Sequence, residues 1–178
     1  AKLYEQAISD EPKVIAHYWH LGLMQLLQKQ EVEAQSTWLV GMSECESGNS
    51  LNQVDRWTSD LAAVLEIEAT RQESVGDLEL AWLVRRHSHE IDANNIDNLL
   101  RMMLLSIELQ TLAESDLLDL QVIEALQHAT VSSINPDLLM ELVTAALAYA
   151  PCYQLLPEFV EACLPHVYYP QAFVMQLI

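Results

Sequence analysis

Tyr18-Trp19-His20-Leu21-Gly22, then Ala34, then Trp38 and Gly41: the spacing of these residues decides the reading of the fold. The same spacing reaches back to Tyr4 and Ala7, which stand 34 residues before Trp38 and Gly41. An aromatic, a Leu-Gly pair, a small residue twelve positions on and an aromatic four later predict two helices in close antiparallel contact. Gly22 costs about 1 kcal/mol against Ala in a helix interior, so a packing partner is expected for it. That partner is expected to be Ala34, across a turn at Lys29 to Glu31. The first of the two helices is expected over 13–28. It follows a break at Asp10-Glu11-Pro12, with Asp10 as N-cap and Pro12 in the first turn.

Working outward, Cys45-Glu46-Ser47-Gly48-Asn49-Ser50 reads as a polar linker. A helix over 51–75 follows, with Val54, Trp57, Leu61, Val64 and Leu65 as its inward stripe. Gly76 ends it, and Asp77 caps a helix over 78–91. Gly22 to Ala69 and Ala34 to Ala81 are both 47 residues, so the pair of small residues recurs. This reads as a second, degenerate unit carrying an insertion. Beyond it, Asn94 or Asn95 caps 96–112, and Ser115 caps 116–128. Asn135-Pro136-Asp137 supplies an N-cap, a first-turn proline and an acid ahead of a Leu138, Leu139, Leu142, Val143, Ala146, Leu147 stripe. Pro151 stops that helix, and helices over 154–163 and 170–178 follow. The expected fold is all-α: an α-solenoid of roughly ten helices, regular at first and divergent after residue 92. Its parts are a repeat over 1–46 lacking its leading helix, a degenerate repeat over 47–92 and a helical extension over 93–178. Together they read as one continuous domain cut from a longer protein.

Composition narrows the partners. Eight basic residues face 26 acidic ones, for a net charge of −18. No Lys or Arg follows Arg101. Such a surface repels nucleic acid, whose binding needs Lys and Arg to release condensed counterions, and it disfavours an anionic membrane. A basic protein partner fits the charge, and a solvated acidic surface that keeps the chain soluble is the plainer reading. Cys45, Cys152 and Cys163 have no metal spacing and read as reduced, buried thiols of a cytoplasmic protein. Pro165 and Pro170 break the uncharged final stretch, which argues against a membrane span.

Chemistry is sparse. His87 and His89 point in different directions on a helix, and His17 with His20 lacks a third ligand in register. Arg85 and Arg86, the only basic pair, read as favourable charges near a helix C-terminus. There is no phosphate loop and no nucleophile elbow. Trp19, Trp38, Trp57 and Trp82 read as core rather than ligand platforms. No catalytic residue, metal or cofactor is expected.

The 34-residue spacing resembles the tetratricopeptide pattern. Tyr18 to Met24 and Glu33 to Leu39 go further. So do Gln53 to Trp57, Ala81 to His87, Ile96 to Leu100 and Phe159 to His166. Together they resemble the N-terminal helical region of cyanobacterial SPINDLY-type proteins, relatives of O-linked N-acetylglucosamine transferases. Related helical regions also precede FkbM-type methyltransferases. The resemblance implies a non-catalytic region that presents acceptor proteins to a separate glycosyltransferase-like region, or that mediates self-association. A structural dimerisation or packing platform for an adjoining catalytic domain is the alternative. In tetratricopeptide arrays the first helix of each unit lines the groove. Carried over by position, this assigns partner binding to Trp19, Leu23 and Leu26 in one unit and to Glu66, Thr70 and Glu73 in the next. The expected occupant is a basic or amphipathic protein segment.

Overall fold

The computed structural model describes residues 2–45, 51–111, 118–130, 133–149 and 154–167. All regular structure among them is helical, with no strand. The chain divides into two compact units, Ala1–Asp92 and Ala93–Ile178.

The first unit holds α1 (Lys2–Asp10), α2 (Ile15–Leu26), α3 (Glu31–Cys45), α4 (Leu51–Val75) and α5 (Leu78–Ile91). The helices pack as α1 on α2, α2 on α3, α2 on α4 and α4 on α5. The α2–α3 hairpin closes through two reciprocal seatings. A Cβ on Gly22 would lie 2.6 Å from Trp38 Cδ1 and 2.7 Å from Cε2. A Cβ on Gly41 would lie 2.6 Å from Tyr18 Cβ and 2.7 Å from Cγ. Each helix thus gives the other a glycine to receive its aromatic ring. The expected partner of Gly22 is therefore corrected from Ala34 to the Trp38 indole. That indole also donates from Nε1 to the Trp19 carbonyl at 3.2 Å, and Thr37 Oγ1 donates to Gln25 Oε1 at 2.7 Å.

The start of α2 also departs from expectation. Asp10 is the last residue of α1, and α2 opens at Ile15 behind Val14, with no side-chain cap. Pro12 sits in the intervening turn, where its carbonyl accepts from the Tyr18 hydroxyl at 3.0 Å. At its other end α2 turns through Lys29 at φ 61°. There the Gln30 N–H returns to the Gln25 carbonyl and the Lys29 N–H to Leu26, which satisfies carbonyls left open at the helix end.

α4 and α5 keep their expected limits. Gly76, at φ 82°, makes the same kind of helix ending, and the Asp77 side chain accepts from the Leu80 N–H. Trp57, Leu61, Leu65 and Ala69 of α4 join Tyr18, Trp19, Leu23 and Leu26 of α2 and Val84 of α5 in one core. Val54, expected on the inward stripe, is exposed.

The second unit holds α6 (Ile96–Glu108), α7 (Leu118–His128), α8 (Pro136–Ala148), α9 (Leu156–Cys163) and a 3₁₀ turn at Leu164–His166. α6 packs on α7 and α8, and α9 packs on the same two helices. The caps are those the sequence announces. Asn95 accepts from the Asn98 N–H, and Asn135 accepts from Asp137 and Leu138, with Pro136 opening the helix. The Leu138, Leu139, Leu142, Val143, Ala146 stripe is buried. α6 ends at Glu108 rather than 112 because Gln110, at φ 58°, reverses the chain and sends the Thr111 N–H back to Ser106. The expected Ser115 cap and the helix over 170–178 lie outside the described residues, as does Cys152. Cys45 and Cys163 are buried, and the Cys45 thiol meets the Pro12 carbonyl at 3.8 Å. Burial pushes the Cys163 thiol up to about 12, which keeps it protonated and unreactive.

Candidate functional site

The six residues assigned to partner binding fall into two environments. Trp19, Leu23 and Leu26 are 2%, 8% and 0% exposed, inside the core of the first unit. In this conformation their apolar surface is already used within the unit.

Glu66, Thr70 and Glu73 do stand together, spaced i, i+4 and i+7 along α4, as one helix face requires. What meets them is Arg85 of α5, which is fully buried. Its Nη1 donates to Glu66 Oε2 at 2.8 Å and its Nη2 to Thr70 Oγ1 at 3.4 Å, while its Nε donates to Glu73 Oε1. A guanidinium out of water needs such partners, because an uncompensated buried charge is strongly destabilising. These three residues therefore bind a side chain of their own chain.

Arg86 and His87 extend the network to α3. Arg86 donates to Glu31 Oε2, and its guanidinium lies 5.5 Å from the centroid of the Trp82 ring. His87 is buried, with Nε2 3.0 Å from Glu31 Oε2 and Nδ1 3.0 Å from Glu90 Oε2. The basic pair is thus mid-helix and ties α5 to α4 and α3, in place of the helix-end role read from sequence. Among the described residues no group of three His, Cys, Asp or Glu side chains could hold a metal ion. No helix among them is long and apolar enough to cross a membrane.

A different feature of the unit remains open. Between α1, α2 and α3 lies a recess of about 350 Å³, lined by Glu5, Ile8, Tyr18, Leu21, Ser36, Thr37 and Val40. Its floor is Tyr18 and Leu21 of α2, the face turned away from the Trp19 stripe by helical spacing. Its walls are α1 and α3, and Val40 at the rim is half exposed. α1 is held against α2 by Tyr4, whose ring stacks on His20 at 5.3 Å between centroids. Burial, then Cys45, then Glu44 push the Tyr18 phenol up, so it stays neutral. The recess is largely apolar, with the Glu5 carboxylate and the Tyr18, Ser36 and Thr37 hydroxyls among its lining residues. Such a surface binds by shape and burial and supplies no nucleophile with a base beside it. Sequence reading missed it because Val40 and Ser36 lie on the outer face of α3, which carries no repeat signature.

No family model matches the chain, and the searches of curated proteins and of solved structures found no match either.

Proposed function

We propose that the chain is a non-catalytic helical interaction module of the tetratricopeptide kind, which holds a segment of another protein. The observation that carries this reading is the open apolar recess between α1, α2 and α3, with Val40 half exposed at its rim. A concave site of a few hundred Å³, lined mostly by apolar side chains with a few polar groups among them, is the usual form of a binding pocket. The reciprocal seating of Tyr18 on Gly41 and Trp38 on Gly22 supports the repeat reading. The wider context is supported by the sequence resemblance: recruitment of acceptor proteins to a glycosyltransferase-like region. The net charge of −18 favours a basic polypeptide over nucleic acid.

A second reading makes the segment a packing platform for an adjoining catalytic region or a second copy. It is favoured by Val32 and Leu39, seven residues apart on the outside of α3 and 73% and 66% exposed. A photo-reactive amino acid at Ser36, in cells that make the protein, separates the two. An adduct with another polypeptide, lost on Val40→Asp, is the expected result. Adducts only between copies of this chain would support the platform, and adducts insensitive to Val40→Asp would contradict the recess.

A further inference from the structure

Resting on that reading, we infer that the recess takes an amphipathic helical segment of another protein, with one aliphatic anchor and Lys or Arg one to two turns to either side. The argument starts from the register of α3. Glu33, Thr37, Val40 and Glu44 follow one another at i, i+4, i+7 and i+11 and so share one face. Thr37 and Val40 line the recess, and Glu33 and Glu44 are exposed beyond its two ends. Eleven residues at 1.5 Å each set these carboxylates about 16 Å apart along the helix. Glu5 stands on the opposite wall. Gly41 seats the Tyr18 ring, and Glu44 stands one turn further along α3.

These carboxylates differ from their neighbours. Glu31 is occupied by Arg86 and His87, and Glu11 meets His17 at 3.4 Å. Among the described residues no ion pair holds Glu5, Glu33 or Glu44, and Lys13, which follows the Pro12 carbonyl that Cys45 meets at 3.8 Å, is a cation at that end. An apolar floor with acidic ends is complementary to an apolar side chain with basic flanks. The walls are helices with no exposed strand edge, so a partner gains no backbone pairing and must satisfy its own amides, which a helix does.

The test uses a labelled helical peptide of about four turns, carrying one Leu flanked by Lys on both sides, and measures anisotropy on the full chain. Two control peptides replace the Lys by Glu, or the Leu by Ala. The Lys–Leu peptide is expected to bind, and each control to bind about tenfold more weakly. Val40→Asp is expected to weaken the Lys–Leu peptide about tenfold although it adds a negative charge, which would strengthen a purely electrostatic association. Glu33→Gln and Glu44→Gln are each expected to weaken it about two- to threefold. Equal binding of the Glu peptide, lost with Val40→Asp, overturns the charge assignment and leaves the recess reading standing. Lys–Leu binding indifferent both to Val40→Asp and to loss of the Leu overturns the recess reading itself. Binding by neither charged peptide overturns the inference, and the Ser36 adduct then decides the recess. A dimer in sedimentation that Val40→Asp dissociates makes a second copy the occupant, which also overturns it.

Discussion

The indole of Trp38 fills the space over Gly22 that a Cβ would take, so the two helices of the hairpin meet at a ring on a bare backbone. Gly22→Ala is therefore expected to destabilise the protein by about 1–3 kcal/mol, the overpacking cost exceeding the roughly 1 kcal/mol gained in helix propensity. Urea unfolding measures it. Trp38→Leu introduced together with Gly22→Ala is expected to cost less than the sum of the two single changes, because the smaller side chain clears the space.

Among the described residues three helices end on a residue in the left-handed region, and of these Gly76 alone is a glycine. Lys29 at φ 61° and Gln110 at φ 58° each bear the Cβ penalty of that conformation, about 1–2 kcal/mol. Lys29→Gly and Gln110→Gly are expected to raise the thermal midpoint, and Gly76→Ala to lower it. A lower midpoint for both glycine variants would show that entropy of the unfolded chain outweighs the local strain.

Arg85 turns the face of Glu66, Thr70 and Glu73 into an internal ion network. Glu73→Ala is expected to cost about 3 kcal/mol by leaving the buried guanidinium short of a carboxylate. Glu66→Ala should cost less, because the Glu66 side chain is 37% exposed against 20% for Glu73. Adding Arg85→Met to Glu73→Ala should restore part of the loss, as denaturant midpoints would show. No recovery would mean that Arg85 acts through packing.

Glu68, apart from that network on α4, pairs with Arg71 and Gln72 and gives the chain an acid-dependent contribution of its own. A hydrogen bond from Arg71 holds its carboxyl below the usual carboxylate range, against the effect of burial, and Gln72 assists. A lowered folded value means that the contribution is fully present above the unfolded value, about pH 4.3, and is lost as pH falls through the folded one. The stability difference between the parent chain and Glu68→Gln is expected to be constant near neutrality and to shrink below about pH 4. A difference unchanged down to strong acid would contradict the assignment.

What the sequence makes legible is what local chemistry decides. Asp77, Asn95 and Asn135 cap the helices their positions announce, and Gly76 ends α4, because a cap needs only its own turn. The small residue at Gly22 announces a close approach, but spacing alone does not say that the Trp38 ring answers it. Asp10 and Pro12 look like a helix start; the Tyr18 hydroxyl holds the Pro12 carbonyl in a turn, and the helix waits until Ile15. The face of Glu66, Thr70 and Glu73 was visible as a set. Whether it met solvent or a buried cation depended on Arg85, twelve residues beyond Glu73 and on another helix. The recess was hidden for a similar reason. It needs α1, α2 and α3 together, and its lining looks in sequence like ordinary solvent-facing text.

Amide shifts on titrating the Lys–Leu peptide into isotope-labelled protein test the location of the partner site most directly. Shifts concentrated at Ile8, Ser36, Thr37 and Val40, with Glu66, Thr70 and Glu73 unmoved, are the expected result. Shifts concentrated at Glu66, Thr70, Glu73 and Arg85, with the recess silent, would contradict it.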